Sequence, residues 1–268
     1  MDFWSTRNGR ILNVVLVLLG FGLIWEGAVV VFGIKPFLLP APSRVLADIA
    51  AEPLWYGMHT LETLKETALG FLLAVVVGLV MAIGIVFSRF VEQTLYTFLV
   101  AINSIPKVAV APLFIVWFGA GIEPKVAIAF LIAVFPIVID TVLGLRSVEP
   151  DMLDLARSMR GSAMQTLWKI RFPTALPSMF AGMKVGISFA FIGSIVGEFV
   201  ASQAGLGFVI DSAQPTFDTT RIFAAILLLA VVGTILFYTV ELAERAFVPW
   251  HVSRRREGTA GPAPQSAH

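Results

Sequence analysis

The 268-residue sequence contains no cysteine. That removes disulfide frameworks and cysteine-based metal sites. It has only three histidines, His59, His251 and His268, scattered along the chain. Surface or interface positions are expected for them, and no metal site. Charge is scarce, at 14% of residues against 57% hydrophobic. A soluble domain of this size could not bury so much apolar surface, so lipid is the solvent for much of it. The formal net charge is only +1, which leaves no overall pull toward nucleic acid. No Gly-x-x-x-x-Gly-Lys-Ser/Thr loop occurs, so the chain cannot cradle nucleotide phosphates in the P-loop manner. The apolar runs carry isolated charges rather than a cluster of His, Asp or Ser, which argues against a membrane-embedded enzyme. No internal repeat symmetry of the secondary-carrier kind is visible. No catalytic residue, cofactor or metal is expected.

What is present is a series of long apolar runs. A transmembrane helix needs about 20 mainly apolar residues. Six stretches qualify, roughly 11–32, 66–87, 94–118, 125–145, 178–200 and 221–243. The expected fold class is an all-α integral membrane protein with six transmembrane helices. The first run follows Arg7 and Arg10, is too long for a signal-peptide core and ends in no cleavage pattern, so it reads as a retained span. With the N-terminus placed in the cytoplasm, twelve basic residues fall inside: Arg7, Arg10, Arg89, Arg146, Arg157, Arg160, Lys169, Arg171, Arg245, Arg254, Arg255 and Arg256. Only Lys35, Arg44, Lys125 and Arg221 fall outside. The positive-inside rule then puts both termini in the cytoplasm. The expected organisation is a short cytoplasmic N-terminus (1–10), a membrane domain (11–250) and a small, polar, Pro-rich tail (251–268) with the composition of a disordered segment. Trp250 falls where an interfacial anchor belongs.

Two spans carry stripes of small residues, Gly70, Ala74, Gly78, Ala82 and Gly182, Gly186, Ala190, with Gly193 and Gly197 beyond. Spacing of four lets another backbone approach closely. Packing within the chain and a subunit or sliding interface both fit that pattern. The outer segment "LLPAPSRVLADI" reads as a short interfacial helix capped by Ser43, with Val45, Leu46 and Ile49 on one side. Ionisable residues within spans are costly and mark candidate sites. Lys107 follows Pro106, which breaks the helix and frees a carbonyl. It could attract an electronegative solute or pair with Asp140 or Glu198. Glu198 lies near the outer end of the fifth run, a position suited to a gate. Glu26 lies near the outer end of the first and could simply reach the interface.

The longest stretch of mixed polarity is "LARSMRGSAMQTLWKIRFPTALP" (155–177). Pro150 suits a helical first turn, with Glu149 and Asp151 at its positive end and Arg157 and Arg160 in its last turn. Gly161 is placed to end that helix in a left-handed conformation. Ser162 and Gln165 form a Ser-x-x-Gln capping box for a second helix, which Pro173 is expected to stop before Pro177 opens the fifth span. The segment 149–173 therefore reads as a rigid helix–turn–helix on the cytoplasmic surface.

This segment resembles the EAA loop of bacterial ABC-importer permeases. Leu155, Ala156 and Arg157 occupy the EAA slots, of which only the middle Ala is kept, and Gly161, Ile170 and Pro173 occupy the later ones. "LLPAPSRVL", "SIPKVAVAPLFIVWFGAG", "FPIVIDTVLGLRSV", "ALPSMFAGMKVGISFAFIGSIVGEF", "GLGFVI" and "VPWH" look like the nitrate/sulfonate/taurine branch of those permeases, in that branch's order, over about residues 25–251. The resemblance implies a type I importer permease in the bacterial inner membrane. It implies two copies of the chain, two separate ATPase subunits and a periplasmic or lipid-anchored substrate-binding protein. Leu155, Ala156, Arg157, Arg160, Gly161 and Ser162 would form the ATPase-coupling surface, with Ala156 a small knob and Gly161 allowing close approach. Arg157 and Arg160 could pair with acidic groups of the ATPase or simply obey the positive-inside rule. Lys107, Asp140 and Glu198 are the candidate pathway or gate residues. The implied solute is a sulfonate, nitrate or taurine-type anion, or a vitamin precursor such as hydroxymethylpyrimidine or riboflavin.

Overall fold

The computed structural model describes residues 7–249. The tail 251–268, Trp250, His251 and His268 lie outside the described residues. Among the described residues the chain is helical throughout, with no strand. In order the helices are α1 (Arg7–Val31), α2 (Pro42–Ala51), α3 (Pro53–Phe87), α4 (Arg89–Ser104), α5 (Lys107–Phe118), α6 (Glu123–Arg146), α7 (Pro150–Ser158) and α8 (Ala163–Thr166). A π-helical turn (Leu167–Arg171) follows, then α9 (Phe172–Ala201), α10 (Leu206–Ala213) and α11 (Thr219–Phe247).

Among the described residues four helices are long and apolar enough to cross a bilayer: Pro53–Phe87, Glu123–Arg146, Ala163–Val200 and Thr219–Phe247. The expected span 94–118 is broken. Here α4 and α5 meet at 98°, and the pair makes a fifth crossing if counted as one span. The break falls at Ile105 and Pro106, both extended, because the residue before a proline is driven out of the helical region. In α1 the apolar part runs from Leu16 to Val31, shorter than the other spans.

The chain divides into two compact units. The first comprises Met1–Glu62 and Gln203–Val231. Its core holds Val45, Tyr56, Val209, Ile210, Ala224 and Ala225. The outer helix expected near residue 43 is α2, but Ser43 does not cap it. Ala41 is the N-cap and Pro42 opens the helix. Ser43 instead donates from its backbone N–H (3.0 Å) and hydroxyl (2.7 Å) to the Glu26 carboxylate, so Glu26 has a protein partner. Val45 and Ile49 join the core while Leu46 stays exposed. His59 is not a surface residue: it is buried, accepts the Gly205 N–H at Nδ1 (3.0 Å) and stacks on Phe208.

The second unit comprises Thr63–Ser202 and Val232–His268. Its centre is α6, and both small-residue stripes pack onto it. A methyl group added at Gly70 of α3 would lie 2.5 Å from the Ala129 Cβ, and one added at Gly193 of α9 would lie 2.6 Å from the Ala129 Cα. Ile137, two turns on, is met in the same way by Gly78 and Gly186. The stripes are therefore intrachain packing surfaces, with α6 held between α3 and α9 at backbone contact distance. Ion pairs join helices of this unit. Lys184 of α9 meets Glu244 of α11 at 2.6 Å, and Arg146 of α6 meets Glu92 of α4 at 2.9 Å.

Candidate functional site

The segment 149–173 is built as two short helices with defined ends. Ser147 Oγ donates to the Gly144 carbonyl at the end of α6. Pro150 then starts α7 with Asp151 in its first turn. The end of α7 differs from the expectation by one residue. Arg160 takes the left-handed conformation (φ 56°), and Gly161 does not. The Gly161 N–H reaches back to the Ala156 carbonyl (2.9 Å) and the Arg160 N–H to the Arg157 carbonyl (2.9 Å), the two bonds of a Schellman closure. Gly161 is needed for a different reason: a Cβ there would lie 3.0 Å from the Ala156 carbonyl oxygen. The capping box of α8 is present. Ser162 Oγ accepts the Gln165 N–H (3.2 Å), and the Ser162 N–H donates to Gln165 Oε1 (2.9 Å).

Pro173 does not stop the second helix. The helix runs from Ala163 to Val200 through the π-helical turn, where the Phe172 N–H bonds to the Leu167 carbonyl. Pro173 has no N–H, and its ring would press on the carbonyl four residues back in a plain α-helix. The wider turn just before it takes up that conflict. Pro177 accordingly lies inside α9 rather than opening it. Arg171 Nη1 donates to the Leu145 carbonyl (3.2 Å), which ties the segment to the end of α6. A crevice of about 360 Å³ between the segment and the end of α3 is lined by Phe87, Leu153, Arg157, Gly161, Thr166 and Arg171.

The exposed surface of this segment mixes charged residues with large apolar side chains. Met152, Leu155, Met159, Met164 and Trp168 all show large exposed areas. Among the residues expected to form the coupling surface, Leu155, Arg157, Arg160, Gly161 and Ser162 are exposed. Ala156 is buried within the chain, so it packs the segment onto its own protein and is not a knob for a partner. Arg157 pairs with Asp154 one turn earlier (2.8 Å). Sequence reasoning missed the methionines and Trp168. Their signal was available as Met152, Leu155 and Met159 at i, i+3 and i+7 on α7 and Met164 and Trp168 at i and i+4 on the next helix, in a segment chosen for its polarity.

At the break between α4 and α5, Lys107 stands in the first turn of α5. It pairs with neither Asp140 nor Glu198. Its ammonium donates to Asn103 Oδ1 (2.5 Å) and reaches the Asn103 carbonyl (3.5 Å) across the break. Lys107 and Asp140 do line one cavity of about 520 Å³, with Asn103, Phe135, Pro136 and Phe189 among its walls. A second cavity of about 620 Å³ shares Ile139 with it and is lined by Arg89, Glu92 and Arg146. Glu198 is elsewhere. It is almost fully buried and accepts a hydrogen bond from Thr63 Oγ1 (2.6 Å). Beside it, Lys125 donates to Glu66 (2.6 Å), a pair that sequence reasoning did not find because 59 residues separate its members.

Comparison with known proteins agrees with this layout. The family model described as "Binding-protein-dependent transport system inner membrane component" matches residues 74–249. The riboflavin transport system permease protein RibX of Chloroflexus aurantiacus is 39% identical over 86% of this chain and 87% of its own length. The formylaminopyrimidine transport permease protein ThiX of Halalkalibacterium halodurans is 31% identical over 91% of this chain and 98% of its own. A solved structure of the inward-facing MetNI methionine ABC transporter superposes with a TM-score of 0.63 at 19% identity, covering 74% of this chain and 99% of that one. The likeness to that structure establishes the fold. The chain belongs to the family of binding-protein-dependent transport system inner membrane components, the permease subunits of ABC importers.

Proposed function

We propose that two copies of this chain form the translocation pathway of an importer in the bacterial inner membrane, with six spans per copy and both termini in the cytoplasm. Two separate ATPase subunits drive it, and a periplasmic or lipid-anchored binding protein delivers the solute. ATP is hydrolysed in the partner subunits, since this chain has no P-loop. The apolar outer face of α5, with Val108, Leu113, Val116 and Trp117 exposed, supports a second copy as its cover.

The observation that carries the coupling assignment is the unbroken helix Ala163–Val200. A force applied at the exposed Met164 and Trp168 enters a span with no loop to absorb it. Methionine-rich surfaces suit a contact that must slide and re-form. Leu155→Asp with Met159→Asp leaves α7 and its closure intact, since both side chains point outward. This double variant is expected to insert normally, yet to lose copurification with the ATPase and at least tenfold in ATP-driven uptake by reconstituted vesicles. Full copurification and uptake would refute the coupling role.

For the solute, Lys107 and Asp140 line one cavity with Phe135 and Phe189. A lone anion gains from the lysine but is opposed by the aspartate. A flat heteroaromatic molecule with donors and acceptors can use both groups and the rings. The relatives named for riboflavin and formylaminopyrimidine support a vitamin precursor over a simple sulfonate or nitrate. Glu198, buried beside Thr63, braces the outer end rather than touching solute. Uptake by the reconstituted complex, competed by flavins or pyrimidines and untouched by sulfonates, is the expected result. The reverse pattern would reject this solute class.

A further inference from the structure

The two cavities that share Ile139 are stretches of one groove. On α6, Ile132, Pro136, Ile139, Leu143 and Arg146 line them at alternating steps of four and three residues, which trace one face of a helix. On α4, Arg89, Gln93 and Thr97 follow at steps of four, and Asn103, about four turns on from Arg89, returns to the same face. The groove between α4 and α6 therefore runs from Lys107 and Asp140 at one end, past Ile139, to Arg89, Glu92 and Arg146 at the other. Charged side chains on spans turn to water-filled space rather than to lipid tails, and this lining is charged at both ends. At the end nearer the 149–173 segment an ion pair crosses from wall to wall: Arg146 Nη1 of α6 meets Glu92 Oε1 of α4 at 2.9 Å.

The exposure of this pair decides what it can do. The Arg146 and Glu92 side chains are 44% and 35% exposed, whereas those of Lys125 and Glu66 are 8% and 1% exposed. Parting a buried pair strands two charges away from water, so a pair such as Lys125–Glu66 acts as a fixed strut. A half-exposed pair parts at little cost, because water takes the place of each partner. We propose that Glu92 and Arg146 form a bar across the inner mouth of the groove, which opens to pass solute from the Lys107–Asp140 cavity to the cytoplasm. The cavity behind the bar, with Arg89, Gln93 and Thr97 in its wall, is then a second station on the path. Its guanidinium, amide and hydroxyl groups suit a solute that carries both donors and acceptors. The inference rests on the solute and orientation proposed above and adds the exit to them.

Thiol labelling of the full complex in inside-out membrane vesicles tests the bar. The chain has no cysteine, so Ile139→Cys places a single thiol at the neck of the groove. An uncharged, membrane-impermeant thiol reagent should reach it about fivefold faster when Glu92→Gln or Arg146→Gln is added, the factor that corresponds to an exposed pair at the upper end of its usual strength. Exchanging the charges, Glu92→Arg with Arg146→Glu, should restore the slow rate. A thiol at Met159, outside the groove, should label at one rate in every background. A fixed strut would leave the rate at Ile139→Cys unchanged. Equal rates with and without the pair, or an exchange that does not slow labelling, overturn the proposal. Should one glutamine variant fail to insert, the other and the exchange still decide it. Flavins or pyrimidines are expected to slow the same labelling. If neither does while the charge dependence holds, the solute reading falls and the bar stands.

Discussion

Arg160 occupies a left-handed conformation that glycine would hold without strain. For a residue with a Cβ this costs roughly 1–2 kcal/mol. The neighbouring glycine is used up by a steric demand, the approach of the Ala156 carbonyl to Gly161. Arg160→Gly is therefore predicted to stabilise the end of α7 by about 1 kcal/mol, slowing hydrogen exchange of the Gly161 amide about fivefold. If the Arg160 guanidinium also contacts the ATPase, uptake falls while protection rises, a split that a purely structural role would not give. The sequence placed the left-handed residue one position late because glycine preference was the only signal it offered. The Ser162–Gln165 capping box was legible because its partners are three residues apart and their geometry is local. The Glu66–Lys125 pair was not, since no local rule links residues 59 apart. Lys107 was read as an ionisable residue within a span that could attract solute or pair with Asp140 or Glu198. Its partner, Asn103, sits one turn back across the break, where a search for opposite charges does not look.

At the scale of elements, the apolar runs that became α3, α6, α9 and α11 were readable from hydropathy alone, because lipid demands long apolar helices. Breaks were harder. Pro106 announced a break but not its 98° angle, which depends on what the two halves pack against. Pro173 carried the signature of a helix stop, yet the π-helical turn before it keeps the helix continuous. A wide turn of this kind has no composition of its own. The small-residue stripes were visible, and their partner, α6, was not. That assignment makes a prediction. Gly193→Ala places a methyl group against the backbone of Ala129 and is expected to destabilise the protein by about 1–3 kcal/mol. Gly20→Ala in α1 meets nothing within 4 Å and should be neutral or stabilising by up to about 1 kcal/mol. Thermal unfolding of the two variants in detergent checks the pair. Equal midpoints would mean that α6 and α9 are not at backbone contact.

For the whole molecule, the proposed coupling runs from the exposed apolar side chains of 152–168 into the helix Ala163–Val200, which packs on α6. The absence of native cysteine offers a direct test, because a single introduced thiol is the only one in the chain. Met159 is exposed at the tip of the segment, with its backbone N–H bonded to Leu155 and its side chain free of the α7 closure. In membranes carrying the complete complex, Met159→Cys should crosslink to the ATPase subunit, with a yield that changes when ATP is bound and resists external, membrane-impermeant thiol reagents. A Met159→Cys thiol that is labelled from outside intact cells, or that never crosslinks to an ATPase in an actively transporting complex, would contradict the account.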